Sequence, residues 1–180
     1  MANSRYPEEY IEYLAEYFGS RDFFECHEIM EEYWKKTPDS EWSVCWLVLI
    51  RLAVVQYHAR RGNGAGAAKL LAKASGEVRP DLMDRLGLDG AELERMIKDK
   101  LTAWSGGDAT YEEFELPIAD PELLRLVRTR CEEKGWGWAT PRQRVPDDIV
   151  HRHLRRDRSE VVSARAAAAE LKAAKREKGE

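Results

Sequence analysis

The chain has little cysteine. Three residues in 180, Cys26, Cys45 and Cys131, make an odd set with no C-x-x-C spacing. They read as buried free thiols in a reducing cytosol rather than as a disulfide framework or a zinc site. Long hydrophobic runs are missing too. The longest, Val44–Ile50, is far short of the roughly 20 apolar residues that a membrane span requires. The opening MANSRYPEEY has neither a basic start nor an apolar core, so no signal peptide is expected and the expected home is the cytoplasm. Neither charge sign dominates: 33 acidic residues stand against 29 basic ones, a net charge of −4. That balance gives no general case for nucleic-acid or membrane binding. There is no G-x-x-x-x-G-K-[ST], no G-x-G-x-x-G after a strand and no G-x-S-x-G, so nucleotide-dependent and serine-hydrolase chemistry have no support. No fixed-period repeat occurs, which argues against a solenoid.

What is present is helical punctuation around apolar stripes. Pro7 suits the first position of a helix that carries Tyr10, Ile11, Leu14, Tyr17 and Phe18 and is expected to end at Gly19. Asp22, with Glu25 three residues on, opens a second helix that Thr37-Pro38 stops. A third runs from Pro38-Asp39-Ser40 through Arg61 and ends at Gly62-Asn63. Its residues from Trp46 to Val55 are apolar around nearly the whole circumference, as befits a central helix. The β-branched content of Val44–Val55 offers a strand as the competing reading, but segment length and the flanking helix signals favour a helix. Further helices are expected over Gly64–Ala74, Pro80–Leu86, Ala91–Trp104 and Pro121–Lys134, with YEEFELPI extended and GWGWATPRQRVP a loop. From Asp147 the chain is expected to be helical again. The predicted fold is all-α: a single compact helical bundle around the apolar helix 44–61, with a basic C-terminal helix. The bundle is placed at 1–158 and an Ala/Lys/Glu tail at 159–180.

The sharpest chemistry lies in DFFECHEIMEEYWKK, Asp22–Lys36. At about 100° per residue, Phe23, Met30 and Trp34 fall within about 20° of one line. His27 lies about 40° and Glu31 about 80° from Phe23, on or beside that stripe, while Glu25, Glu28 and Glu32 project from the other side. An imidazole and a carboxylate at i and i+4 are neighbours. They can ligate a metal, act as an acid/base pair, or form a structural buried pair. Glu31 stands where the zincin helix needs a second histidine, so a metalloprotease is not expected. Trp34, one turn on, is either core or a ligand contact.

The third helix supplies candidate partners. Arg51 and His58, seven residues apart, share one stripe of an otherwise apolar helix. A guanidinium there needs a counter-charge, and Glu31 is the expected one, giving a cluster of His27, Glu31, Arg51 and His58. The following Arg60-Arg61-Gly62-Asn63 turn complements the helix C-terminus; its functional alternative is an anion-binding rim, with Arg61 a candidate contact. His151, Arg152, His153, Arg155, Arg156 and Arg158 form a basic patch without the aromatic interleaving of single-strand binders, so nucleic acid is not the expected partner. Trp136 and Trp138 in the loop anchor it or stack a ligand.

The runs RDFFECHEIMEEYWK, LIRLAVVQYHARRGN and RHLRRDRS resemble the bacterial and archaeal family called domain of unknown function 309. Its hallmark H-x-x-x-E-x-x-W is matched by His27, Glu31 and Trp34. The resemblance implies a compact all-helical fold, with His27 and Glu31 as a suspected catalytic or binding pair of no established activity. One departure is Arg51, where related sequences usually carry Gln. Some relatives are encoded near chromosome segregation genes, which would favour an accessory role. Two functions are therefore carried forward. One is a small-molecule or metal site, hydrolytic if catalytic, built on His27 and Glu31, with cofactor and any metal unidentified. The other is an interaction protein, docking a second copy or another protein, in which the pair is an internal strut.

Overall fold

Pro7 fixes the entry to helix α1 (Glu8–Ala15) in a computed structural model, which describes residues 4–105 and 110–152. Tyrosines recur from Tyr6, two residues before this helix, to Tyr17, two residues beyond it. Their hydroxyls tie it to four separate segments. Tyr6 donates to the Asp120 carboxylate, and Tyr10 to the Leu86 carbonyl at 2.9 Å. Tyr13 reaches the Leu49 carbonyl at 2.7 Å and Tyr17 the Phe114 carbonyl at 2.6 Å. Rings can therefore be buried without leaving their polar ends unsatisfied.

The first helix does not stop at Gly19. Glu16–Ser20 widens into a π turn, closed by the Arg21 N–H on the Glu16 carbonyl at 2.8 Å. Arg21, not a glycine, adopts the left-handed conformation that ends it, with φ 58°. Gly19 serves close packing instead: a Cβ there would lie 2.8 Å from the Trp136 ring and 3.1 Å from Cys131 Sγ.

Asp22 caps α2 (Phe23–Lys36) as its spacing predicts, its carboxylate accepting from the Glu25 N–H at 3.0 Å. The next helix, α3 (Ser43–Arg60), begins later than Pro38 suggests, because residues 37–42 are taken up by turns. Its buried residues lie all round it, from Cys45 and Trp46 to Ala59 and Arg60, so the central-helix reading holds and the strand reading of Val44–Val55 fails. Helix α3 packs on α2 and on α4 (Gly64–Glu77), which runs three residues beyond Ala74. The short α5 (Pro80–Arg85) and α6 (Gly90–Trp104) follow; Gly90 is obligatory, since a Cβ would fall 2.0 Å from the Pro80 carbonyl oxygen. Asp89 caps α6 and Asp120 caps α7 (Pro121–Glu133). Residues 110–119 form neither helix nor strand, and carry one isolated bridge, between Leu88 and Ile118. A 3₁₀ turn at Arg142–Arg144 and helix α8 (Asp147–Val150) complete the described elements.

The fold is all-α, and among the described residues no strand forms. No described helix is long and apolar enough to cross a membrane. The three cysteines are buried free thiols. The chain divides into two compact units, residues 1–150 and 151–180. All the helices named above belong to the first. The basic stretch beyond Arg152 and the expected tail at 159–180 lie outside the described residues.

Candidate functional site

Helix α2 sets the geometry. Its fully buried residues are Phe23, Cys26 and Met30, with Trp34 partly buried against the core. Cys26 lies about 60° back from Phe23 on the helix wheel, so it swings the buried stripe away from Glu31. The pair therefore occupies the shoulder of the helix rather than its core face: His27 is 24% and Glu31 32% exposed. They touch as their spacing predicts. His27 Nε2 stands 2.8 Å from Glu31 Oε2, and Lys35 Nζ holds the other carboxylate oxygen at 2.9 Å. His27 Nδ1 is itself shut from solvent and has no hydrogen-bond partner. Glu28 Oε1, at 3.5 Å, is close enough to act on it as a charge but lies outside hydrogen-bond geometry. The Phe24 ring flanks the imidazole at 6.0 Å between centroids.

This arrangement orients a base. When the ring is neutral, its Nε2–H donates to Glu31 and the lone pair sits on Nδ1. Two donors from the pair do not make a metal site, which usually takes at least three protein ligands. Among the described residues no group of three or more His, Cys, Asp or Glu side chains is placed to hold one.

The wider cluster is not assembled as expected. Arg51 does not meet Glu31. Its Nε and Nη2 grip both oxygens of Glu77 at 2.6 and 2.9 Å. The physical reason is the side on which Arg51 leaves α3: it faces α4, and Glu77 stands on the last turn of that helix. His58 is turned toward the turn between α3 and α4, with Nδ1 3.2 Å from the Asn63 amide, and burial and the nearby Arg61 charge push its pKa down. The Trp34 indole N–H is occupied by Ser43 Oγ at 2.9 Å, so only its ring remains for a ligand. Trp136 and Trp138 pack against the core, and Trp138 stacks on Phe18 at 4.7 Å.

Sequence reasoning passed over what lies at the N-terminal end of α2. Arg21 is 1% exposed, and each guanidinium nitrogen finds an acceptor: Thr140 O, Tyr17 O and the Glu115 carboxylate. Beside it Arg60 is buried as well, with its Cζ 4.5 Å from the Phe23 ring centroid. Glu16, within the π turn, receives the Ser20 hydroxyl; burial raises its pKa to about 7, partly offset by that hydrogen bond. The signal for Arg21 and Glu16 was weak, because a π turn leaves no periodic trace in the residues, whereas Arg60 was legible as part of the Arg60–Asn63 turn, read as a helix cap or an anion-binding rim.

A family model described as a domain of unknown function (DUF309) matches residues 11–70. The uncharacterized protein YpuF of Bacillus subtilis strain 168 is 36% identical over 162 residues, covering 89% of this chain and 92% of that protein. The chain belongs to this family. The DUF309 match runs from α1 into α4 and so contains His27, Glu31, Trp34, Arg51, His58, Arg60 and Arg61. No solved structure matches the chain.

Proposed function

We propose that this DUF309 protein binds a small polar molecule at His27 when the side chains that shut Nδ1 from solvent part, with Glu31 fixing the imidazole and Nδ1 acting on the ligand as hydrogen-bond acceptor or general base. The observation that carries this reading is the asymmetry of the ring. One nitrogen is held by a carboxylate that a lysine holds in turn, and the other has no hydrogen-bond partner. A structural pair would gain by satisfying both nitrogens. Trp34 offers a ring face about one turn beyond Glu31 and two beyond His27. Arg51, engaged by Glu77, stands outside this reading. A reaction at such a base would be proton abstraction from a hydroxyl or water, hence hydrolysis of an activated ester or related bond. The buried thiols support a cytoplasmic setting.

The test uses p-nitrophenyl acetate as a reporter of a reactive imidazole. The wild-type protein releases p-nitrophenol about 10–100-fold faster than His27→Gln, with Glu31→Gln between them and unfolding midpoints alike. Equal rates in all three, with a midpoint lowered markedly by His27→Gln, would show instead that the pair is a strut in an interaction protein.

A further inference from the structure

Three arginines of this molecule grip carboxylates through the same edge of the guanidinium. Arg51 gives Nε and Nη2 to Glu77, Arg125 gives them to Glu122, and Arg95 gives them to Glu92. That edge presents two parallel N–H groups, spaced to match two oxygens of a carboxylate or phosphate. Arg60 has the same edge and nothing on it. The residue is 7% exposed; its Nη1 donates to the Arg21 carbonyl at 2.6 Å, while Nε and Nη2 are buried without hydrogen-bond partners. No carboxylate lies within ion-pair distance of it among the described residues. The contrast with Arg21 is sharp, since that more deeply buried neighbour has an acceptor for each nitrogen.

A buried cation in this condition is costly, by several kcal/mol for an unpaired charge. The Phe23 ring beneath it offsets only part of that. The surroundings lean toward an anion as well. Arg60 lies over the first turn of α2, a 14-residue helix whose N-terminus carries partial positive charge. Burial lowers the Arg60 pKa to about 10, and Arg142 lowers it further, while Tyr111, Asp22 and Cys26 act the other way. Asp22 spends one oxygen on capping the Glu25 N–H, and Glu115 is engaged by Arg21.

We infer that Arg60 is the recognition group of an oxyanion site at the start of α2, taking a small carboxylate- or phosphate-bearing molecule on its Nε/Nη2 edge. The donor atoms are those of Arg60 and not of the His27–Glu31 pair, so either reading can fail alone. Both donor atoms are closed to solvent, so entry requires the chain around Arg60 to part, and binding is slower than diffusion.

The experiment compares thermal unfolding of wild type, Arg60→Met and Arg60→Lys in chloride buffer with and without added inorganic phosphate or acetate at matched ionic strength. Arg125→Met serves as an exposed control. In wild type and the control, an anion at ten times its Kd raises the midpoint by about 3–6 °C. Arg60→Met loses the rise, and Arg60→Lys, which keeps the charge without the edge, weakens binding at least tenfold. A rise with phosphate alone or with acetate alone identifies the class. No rise in wild type with either anion, or an equal rise in Arg60→Met, overturns the site. Should both variants fail to fold, the Arg60 Nε–H resonance of wild type decides: a saturable shift on phosphate or acetate addition supports the site, and an unmoved resonance rejects it.

Discussion

Arg51 and Glu77 show what a single side chain contributes here. Their side chains are 20% and 30% exposed, so their bidentate contact lies between the surface pairs that contribute little and the buried pairs whose rupture is severe. A double-mutant cycle on Arg51→Met and Glu77→Gln should give a coupling of about 1–2 kcal/mol. The cycle on Arg51→Met and Glu31→Gln should give none, and a coupling there as large as the first would restore the polar cluster across α2 and α3. The need for a counter-charge was legible in the sequence, because an arginine in an apolar helix must find one. Which carboxylate supplies it was not. Glu77 is 26 residues further on, and its approach depends on how α4 folds back along α3. The His27–Glu31 contact was legible because i,i+4 neighbours are fixed by helix geometry alone. Its depth was harder to read, since Cys26 shifts the buried stripe.

At the scale of elements, the junction of α1 and α2 is the irregular feature. Caps at Asp22, Asp89 and Asp120 follow from local chemistry, and the one at Asp22 forms where its spacing from Glu25 places it. The π turn at Glu16–Ser20 does not. A glycine at position 19 reads as a helix terminus, yet the chain continues to Arg21, which is held left-handed while its side chain makes three hydrogen bonds. Gly19 instead lets Trp136 and Cys131 approach. The two accounts differ in sign. If Gly19 were merely a residue in a helical turn, alanine there would stabilise by up to about 1 kcal/mol. Because a Cβ would meet the Trp136 ring, Gly19→Ala should destabilise by about 1–3 kcal/mol in urea unfolding. A more stable variant would mean that the Trp136 loop moves aside without cost.

In the unit 1–150, α2 and α4 pack on α3 and α1 packs on α2 and α7, around a core that the hydroxyls of Tyr6, Tyr10, Tyr13 and Tyr17 help to pin. Among the described residues, Glu16 and His58 make stability depend on pH near neutrality, in opposite directions. Burial raises the Glu16 carboxyl to about 7, above its ordinary value, so the folded state holds that proton more tightly than the unfolded chain. Its contribution is complete below the ordinary glutamate range and is lost as pH rises through about 7. His58 is lowered by burial, so its contribution is present above the ordinary histidine range and lost as pH falls below it. The net curve of the wild-type protein therefore hides both. Glu16→Gln removes the first alone, since an amide stays neutral and still accepts from Ser20. On going from pH 8 to 5.5, the wild-type midpoint should gain about 2–4 °C on that of Glu16→Gln. A gap that stays constant across this range would mean that Glu16 is ionised throughout it, and that the π turn tolerates a charged carboxylate at its base.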